Sequence, residues 1–150
     1  PPQCIDSKIH HNNLINNILA KIEANVAGVD GAVMMDIEGY VSEVNATNIF
    51  FVHGGKVLTP FADSCLPGIT RELVIDLCRA NNIPVAEKRL SMTEMYTADE
   101  CFTTGTMGEL APAIEIDGRK IGSGGMGPLT ERLRKLHREL TKNSGEALPF

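Results

Sequence analysis

The sequence predicts a single α+β domain in which helices flank a mixed sheet or pseudo-barrel. The chain has 150 residues, 43% of them hydrophobic and 22% charged, which is ordinary for one globular domain with a sizeable core. Apolar stripes of helical period alternate with short runs of strand-forming residues. Hairpin signals join several of these runs, and this favours an α+β sheet over a doubly wound one. No internal repeat, low-complexity tract or linker divides the sequence, so we expect one domain over residues 1–150.

The first half of the chain is predicted to contain one helix and several strands. The helix ends near Gly28, and its apolar stripe consists of Leu14, Ile15, Ile18, Leu19 and Ile22. A buried strand over 32–35 follows, with a turn at 38–39. Strands over 48–52 and 56–58 flank a His-Gly-Gly turn, which indicates a hairpin.

A second helix is predicted to begin within 66–71, where proline and glycine mark the entry and Thr70 is the expected cap. It closes at 81–84, and a strand over 85–88 returns. Its apolar face consists of Leu73, Val74, Leu77 and Cys78. We expect the core to be formed by the helical stripes.

The last third of the chain begins with a capping box at 91–94, which predicts a short helix. Strands are predicted over 101–104 and 113–116, with a turn at Asp117-Gly118. A final helix begins at Pro128 and is expected to fray after residue 141.

Charge and hydropathy argue against two kinds of partner. A net charge of −5 does not suit a broad nucleic-acid surface, and no apolar run approaches the roughly 20 residues that span a membrane. The chain starts with Pro1-Pro2 and shows no recognisable signal peptide, so we expect a cut within a longer polypeptide. The four cysteines lie far apart without a Cys-x-x-Cys pair, which favours reduced thiols in a cytoplasmic compartment over zinc or disulfides.

Residues 122–127 match the glycine pattern of a dinucleotide-binding turn, and a helix follows them. That unit also needs a second strand ending in an acidic residue about 20 positions later, and here a helix and a polar tail fill the interval. We therefore interpret the segment as a flexible turn without a cofactor.

Three other segments are candidate binding positions. The helix start at 66–71 offers unpaired N–H groups and a hydroxyl, which suit a phosphate or carboxylate, although an ordinary capped helix has the same pattern. The Gly-Thr-x-Gly turn at 105–108 is either a second anion-binding nest or a plain β-turn. Glu43 lies among apolar strand residues, where an ionised carboxylate needs a partner unless it faces solvent.

Taken in order, these segments resemble the class IV aminotransferases, the pyridoxal-phosphate enzymes of fold type IV. The resemblance rests on the motifs at 39–50, 66–71, 98–106 and 115–122, and it extends from about Lys8 to the last helix. It implies the larger, C-terminal domain of that fold. The N-terminal domain of the family, which supplies an arginine for the cofactor phosphate, is expected to lie outside this sequence.

The resemblance also implies roles for individual residues. Glu43 matches the carboxylate that pairs with the protonated pyridine nitrogen of pyridoxal 5'-phosphate. A second group of residues matches the part of the site that holds the rest of the cofactor: Leu66 on the ring, with Gly68, Ile69, Thr70 and Thr106 around the phosphate. The backbone amides of Met107 and Gly108 match the turn that receives a substrate carboxylate.

The lysine that attaches to the cofactor lies, in the family, three or four residues before an asparagine that matches Asn13. Those positions hold Ile9 and His10, and the lysine in range is Lys8, one or two residues out of register. We favour a longer loop with Lys8 as the nucleophile. The alternative is that the lysine is lost and the chain is a non-catalytic cofactor-binding or interaction domain.

The expected function is transamination of a branched-chain L-amino acid with 2-oxoglutarate, in a homodimer. Within the same family, a D-amino-acid aminotransferase or an aminodeoxychorismate lyase is the alternative. The stretch at 44–47 departs from the glycine-rich version usual among branched-chain enzymes, so the choice of substrate stays open.

Overall fold

The chain folds around a five-stranded mixed sheet, which this computed structural model describes together with its surroundings over residues 6–10, 12 and 14–145. The strand order is β5-β4-β3-β6-β7, and every neighbouring pair is antiparallel except β4 and β5. Two-stranded sheets of β1 with β2 and of β8 with β9 lie beside it. The elements of the described residues are α1 (Ile15–Ala27), β1 (Val33–Met35), β2 (Val41–Val44), β3 (Asn48–His53), β4 (Lys56–Thr59), α2 (Ile69–Ala80), β5 (Val85–Glu87), α3 (Met92–Tyr96), β6 (Glu100–Gly105), β7 (Glu109–Pro112), β8 (Glu115–Ile116), β9 (Arg119–Lys120) and α4 (Pro128–Asn143).

The core lies on both faces of the central strand β3, which is why that strand reads as a continuous apolar run. Phe50 packs on one face with residues of α2 and α4, and its ring stacks on Phe102 with centroids 5.0 Å apart. Phe51 packs on the other face, where β2, α3, β8 and the chain after β9 supply the apolar contacts. Because strand residues alternate between faces, two adjacent phenylalanines fill two separate clusters.

Helix α1 ends as predicted, with Gly28 in a left-handed conformation at φ 72°. Its apolar stripe, however, does not enter the core. Ile18, Leu19 and Ile22 are each about half exposed, and Ala24 is the buried residue of this helix. The expectation that every helical stripe forms the core is therefore wrong for α1.

Helix α2 begins at Ile69 with Gly68 as its N-cap, and no side chain accepts a hydrogen bond there. The predicted cap at Thr70 is wrong, because Thr70 already lies in the first helical turn. The helix is the crossover between the parallel strands β4 and β5. The capping box of the short helix α3 is confirmed, with Ser91 and Glu94 exchanging hydrogen bonds.

Strands β7 and β9 were not predicted, and the strand expected over 113–116 is present only over Glu115–Ile116, as β8. Pro112 and the left-handed Glu109, at φ 50°, are atypical of strands. Both are tolerated because β7 is the edge of the sheet and ends at Pro112. Within the described residues, no helix is long and apolar enough to cross a membrane.

Candidate functional site

A cavity of about 610 Å³ opens between the loop before α1, the end of β2, the start of α2 and the β6–β7 turn. This volume lies within the range of small-molecule and cofactor sites. The described residues that line it are Ser7, Ile9, His10, Leu14, Asn16, Asn17, Glu43, Asn45, Ala46, Thr47, Asn48, Leu66, Pro67, Gly68, Ile69, Thr70, Thr104, Gly105 and Thr106. Separate stretches of the chain thus meet at one place.

Most of the predicted binding residues share this cavity. The lining contains six of them, namely Glu43, Leu66, Gly68, Ile69, Thr70 and Thr106. Met107 and Gly108 lie on the adjoining turn but not in the lining, and Met107 is 98% exposed. Their assignment to a substrate carboxylate stays a prediction.

Lys8 is exposed on the loop before α1, and its backbone N–H donates to Asp6 Oδ1 at 3.0 Å. Its neighbours Ser7, Ile9 and His10 line the cavity, whereas Lys8 itself does not. Asn13, from which the position of the lysine was counted, lies outside the described residues.

The start of α2 is fixed to the sheet through Asn48 and leaves its first N–H groups without a side-chain cap. The Nδ2 of Asn48 in β3 donates to the Leu66 carbonyl oxygen at 2.8 Å. A Cβ atom on Gly68 would overlap Asn48 Oδ1, so glycine is required here for space. Because no side chain caps the helix, the first N–H groups of α2 are free to receive a negatively charged group from the cavity.

Thr104 is a cavity residue that the sequence argument did not single out. It is 2% exposed, and its buried Oγ1 has no hydrogen-bond partner within the described part of the chain. A buried hydroxyl without a partner costs free energy, and a ligand in the cavity would relieve that cost. The sequence signal that could have identified Thr104 is its spacing of two residues from Thr106. Side chains two positions apart in extended chain point to the same side.

Glu43 is the carboxyl group among the residues that line the cavity. Burial raises the pKa of Glu43 to about 7, although hydrogen bonds from the Leu66 backbone and the Asn17 side chain oppose this shift. No salt bridge to Glu43 occurs among the described residues. A positively charged group in the cavity would therefore lower the pKa of the Glu43 carboxyl group.

These observations can be tested against a phosphorylated pyridine such as pyridoxal 5'-phosphate. Free helix N–H groups and the unpartnered Thr104 hydroxyl suit a phosphate, since they supply donors without an internal acceptor. The half-buried carboxyl of Glu43 suits a protonated ring nitrogen. The residues present thus fit such a group.

The glycine pattern at 122–127 forms a turn, as predicted. At the start of the helix that follows, two backbone N–H groups already have an acceptor within the chain. The Glu100 carboxylate accepts from the Leu129 N–H at 3.0 Å and from the Thr130 N–H at 2.8 Å. Gly127 gives Glu100 the room to approach, since a Cβ there would overlap its carboxyl group. The negative charge of Glu100 occupies the place that a dinucleotide phosphate would need.

The model of the family described as "Amino-transferase class IV" matches residues 1–116. The chain is 58% identical over 148 residues to branched-chain-amino-acid aminotransferase-like protein 2 of Arabidopsis thaliana, covering 99% of this chain and 26% of the relative. It is 45% identical over 133 residues to a branched-chain-amino-acid aminotransferase of Pseudomonas aeruginosa, covering 89% of this chain and 43% of that protein. The chain thus spans less than half the length of these relatives.

Solved structures agree with the sequence relatives. The branched-chain amino acid aminotransferase of Thermobaculum terrenum, in its PLP-bound holo-form, superimposes with a TM-score of 0.91 at 36% identity, over 95% of this chain and 47% of that one. This likeness confirms the predicted α+β fold with helices around a mixed sheet. By its sequence, its sheet and its cavity, the chain belongs to the class IV aminotransferase family.

Proposed function

We propose that the protein is a pyridoxal-phosphate-dependent aminotransferase and that these 150 residues are its larger, cofactor-binding domain. The observation that carries the proposal is the single cavity that combines the uncapped start of α2 with the Glu43 carboxyl group. The relatives named as branched-chain enzymes favour a branched-chain L-amino acid and a 2-oxo acid such as 2-oxoglutarate as substrates. A D-amino-acid substrate is the alternative within the family.

When bound, pyridoxal 5'-phosphate supplies an electron sink for the negative charge that develops at the substrate Cα. In this chain, the N–H groups of Ile69 and Thr70, with the hydroxyls of Thr70 and Thr106, would hold the phosphate. Such charge-assisted hydrogen bonds are about twice as strong as neutral ones. Thr104 adds a buried hydroxyl to the same lining, and Leu66 adds an apolar surface for the ring.

The Glu43 carboxylate would keep the ring nitrogen of the bound cofactor protonated. An opposite charge within hydrogen-bond distance favours the ionised form of a carboxyl group. Loading of the cavity is therefore expected to bring the Glu43 pKa below its ligand-free value of about 7. The ionised carboxylate and the protonated nitrogen would then stabilise each other.

Lys8 is the proposed nucleophile and proton carrier. The loop that carries it already brings Ser7, Ile9 and His10 into the lining, so a small change of that loop would suffice. The absence of Lys8 from the lining favours a second candidate function, a cofactor-binding domain without catalysis. The two functions differ in whether the cofactor becomes covalently attached.

Replacement of Lys8 by alanine in the complete protein should abolish amino transfer and the borohydride-reducible linkage to the cofactor, because imine formation needs a deprotonated amine. Visible absorbance and a coupled transamination assay measure both. Lys21→Ala is the matched control, since Lys21 lies on α1 and donates from Nζ to the Asp30 carbonyl oxygen. Full turnover of the Lys8 variant would remove Lys8 from the mechanism. A wild-type protein without any reducible linkage would establish the non-catalytic alternative.

Thr70→Ala and Thr106→Ala should each weaken cofactor affinity by about 1.5–3 kcal/mol, the range for hydrogen bonds to charged groups. Titration of the complete protein with pyridoxal 5'-phosphate gives the dissociation constants. Thr103→Ala is the control, since Thr103 lies on β6, three residues before Thr106, but outside the lining. Unchanged affinity in both variants would mean that the phosphate binds elsewhere.

The proposal includes homodimeric assembly, as the family resemblance implies, and a reducing cytoplasmic compartment. The three cysteines of the described residues, Cys65, Cys78 and Cys101, are all buried and unpaired, which suits reducing conditions.

A further inference from the structure

The loop over residues 60–68 leads into α2, and buried side chains bind several of its carbonyl oxygens. The Ser42 hydroxyl donates to the Ser64 carbonyl oxygen at 2.7 Å. The Asn48 Nδ2 donates to the Leu66 carbonyl oxygen at 2.8 Å. Ser42 and Asn48 are both buried, but of these two donors Asn48 alone lines the cavity. Asn48 is therefore the one of the two that can affect a ligand there.

Both ends of the Asn48 amide are used within the chain. A carbonyl oxygen can only accept a hydrogen bond, so the contact with Leu66 fixes Nδ2 on that side. The same Nδ2 lies 3.7 Å from the Cys65 sulfur, which accounts for its second N–H group. Oδ1 lies against Gly68, the N-cap of α2, where a Cβ atom would overlap it. Asn48 therefore acts on a ligand by fixing the start of α2 rather than by donating to the ligand itself.

The backbone of Asn48 connects the same place to strand β6, where its register partner is Thr104. Thr104 also lines the cavity, and its buried Oγ1 has no hydrogen-bond partner within the described residues. This hydroxyl indicates a ligand independently of the helix start. Asn48 thus adjoins two sets of donors, the uncapped N–H groups of α2 and the Thr104 hydroxyl.

We propose that Asn48 is a positioning residue for a phosphate group, because it keeps the first N–H groups of α2 in place beside the Thr104 hydroxyl. Donors that are already in place bind an anion without the cost of ordering a loop. A phosphate suits them because its three terminal oxygens accept from several donors at once. The group belongs either to a phosphate monoester or to free phosphate. Its identity as the phosphate of pyridoxal 5'-phosphate rests on the proposed function, whereas the role of Asn48 does not.

The test is a titration of the complete, cofactor-free protein with inorganic phosphate, followed through the backbone amide NMR signals of Ile69 and Thr70. The wild-type signals should shift and saturate. In Asn48→Ala the dissociation constant should rise at least about tenfold, the size expected for one lost hydrogen bond to a charged group. Asn48→Asp loses the donor to Leu66 and places a negative charge beside the anion, so it should raise the constant further.

Ser42→Ala is the matched control, because it removes a buried hydrogen bond to the same loop from a residue outside the cavity lining. It should lower the stability of the protein about as much as Asn48→Ala does. The dissociation constant of phosphate should change less than about twofold. A difference between the two variants therefore separates positioning of the anion site from general loosening of the loop.

A second pair of variants tests the contact between Asn48 and Gly68. Gly68→Ala should lower the denaturant midpoint of the otherwise wild-type protein, since the added Cβ overlaps Asn48. In the Asn48→Ala background most of that loss should disappear, because the remaining neighbour of this Cβ, Arg71 Cβ, lies at 3.8 Å, an ordinary contact distance. Equal losses in both backgrounds would contradict the contact.

Circular dichroism establishes that each variant stays folded, and Asn48→Asp, which keeps the size of the side chain, replaces Asn48→Ala if the latter unfolds. A rise in the dissociation constant that is confined to the Asn48 variants supports the inference. An unchanged constant, an equal rise in Ser42→Ala, or wild-type Ile69 and Thr70 signals that do not respond to phosphate would overturn it. If phosphate binding depends on Asn48 but pyridoxal 5'-phosphate binds no more tightly than inorganic phosphate, the positioning role stands and the proposed function fails.

Discussion

Glu43→Gln in the complete protein is expected to reduce turnover by about 10²–10³-fold, the usual cost of losing one preorganised electrostatic group. An amide cannot hold a ring nitrogen in its protonated form, whereas a carboxylate can. Cofactor affinity should change much less, because the phosphate contacts at α2 and at Thr106 are untouched. Single-turnover rates of Cα proton removal measure the effect, and Glu115→Gln, at the exposed position of β8, is the matched control. Unchanged proton removal would exclude Glu43 from the mechanism.

Although Glu43→Gln should reduce turnover, it should stabilise the ligand-free protein against unfolding at alkaline pH. Folding raises the pKa of Glu43 from 4.5 to about 7, so its favourable contribution is present below pH 4.5 and lost as the pH rises through 7. Glutamine carries no charge and escapes that loss. At about pH 8 the variant should therefore unfold at a higher denaturant concentration than the wild type, and at about pH 5 the difference should be small. Equal midpoints at both pH values would mean that the Glu43 carboxyl is well solvated.

Glu100→Ala is expected to give the largest loss of stability, about 2–4 kcal/mol. Its carboxylate satisfies two N–H groups at the start of α4. One hydrogen bond to a charged group contributes about 1.5–3 kcal/mol, and two bonds to the same carboxylate add less than twice that amount. Glu100→Gln keeps acceptor capacity but loses the charge that favours a helix N-terminus, so it should cost about half as much. Denaturant unfolding measures both variants against Glu131→Ala, an exposed position of the same helix. A loss no larger than that of the control would show that the cap contributes little.

Local signals in the sequence were sufficient wherever the chemistry was local. The hairpin at 53–55, the capping box at Ser91 and the glycine end of α1 each depend on a few neighbouring residues, and each is confirmed. The choice between Gly68 and Thr70 as a cap was different. It depended on the room that Asn48 leaves beside Gly68, and this contact joins residues distant in sequence.

The candidate site shows the same difference between residues with a local sequence signal and residues that depend on distant contacts. Glu43, Leu66 and Thr70 were recognised through motifs, and the fold brings them to one cavity. Thr104 could not be found in this way, since its role depends on a cavity that leaves its hydroxyl without a partner within the described residues. The apolar stripe of α1 was interpreted correctly as a helix and wrongly as core, because periodicity alone does not say what a face contacts.

The pairing of β3 with β6 has a consequence for how the cavity comes into being. It joins Asn48 to Thr104, which lie far apart in the sequence. The long segment between them must close into a loop before the pairing can stabilise the fold. Both residues line the cavity, which consequently cannot exist in a partly folded chain that lacks this contact. A ligand of the cavity would bind only the fully folded protein. At a hundred times its dissociation constant, such a ligand would add about 2.7 kcal/mol to the stability of the whole domain.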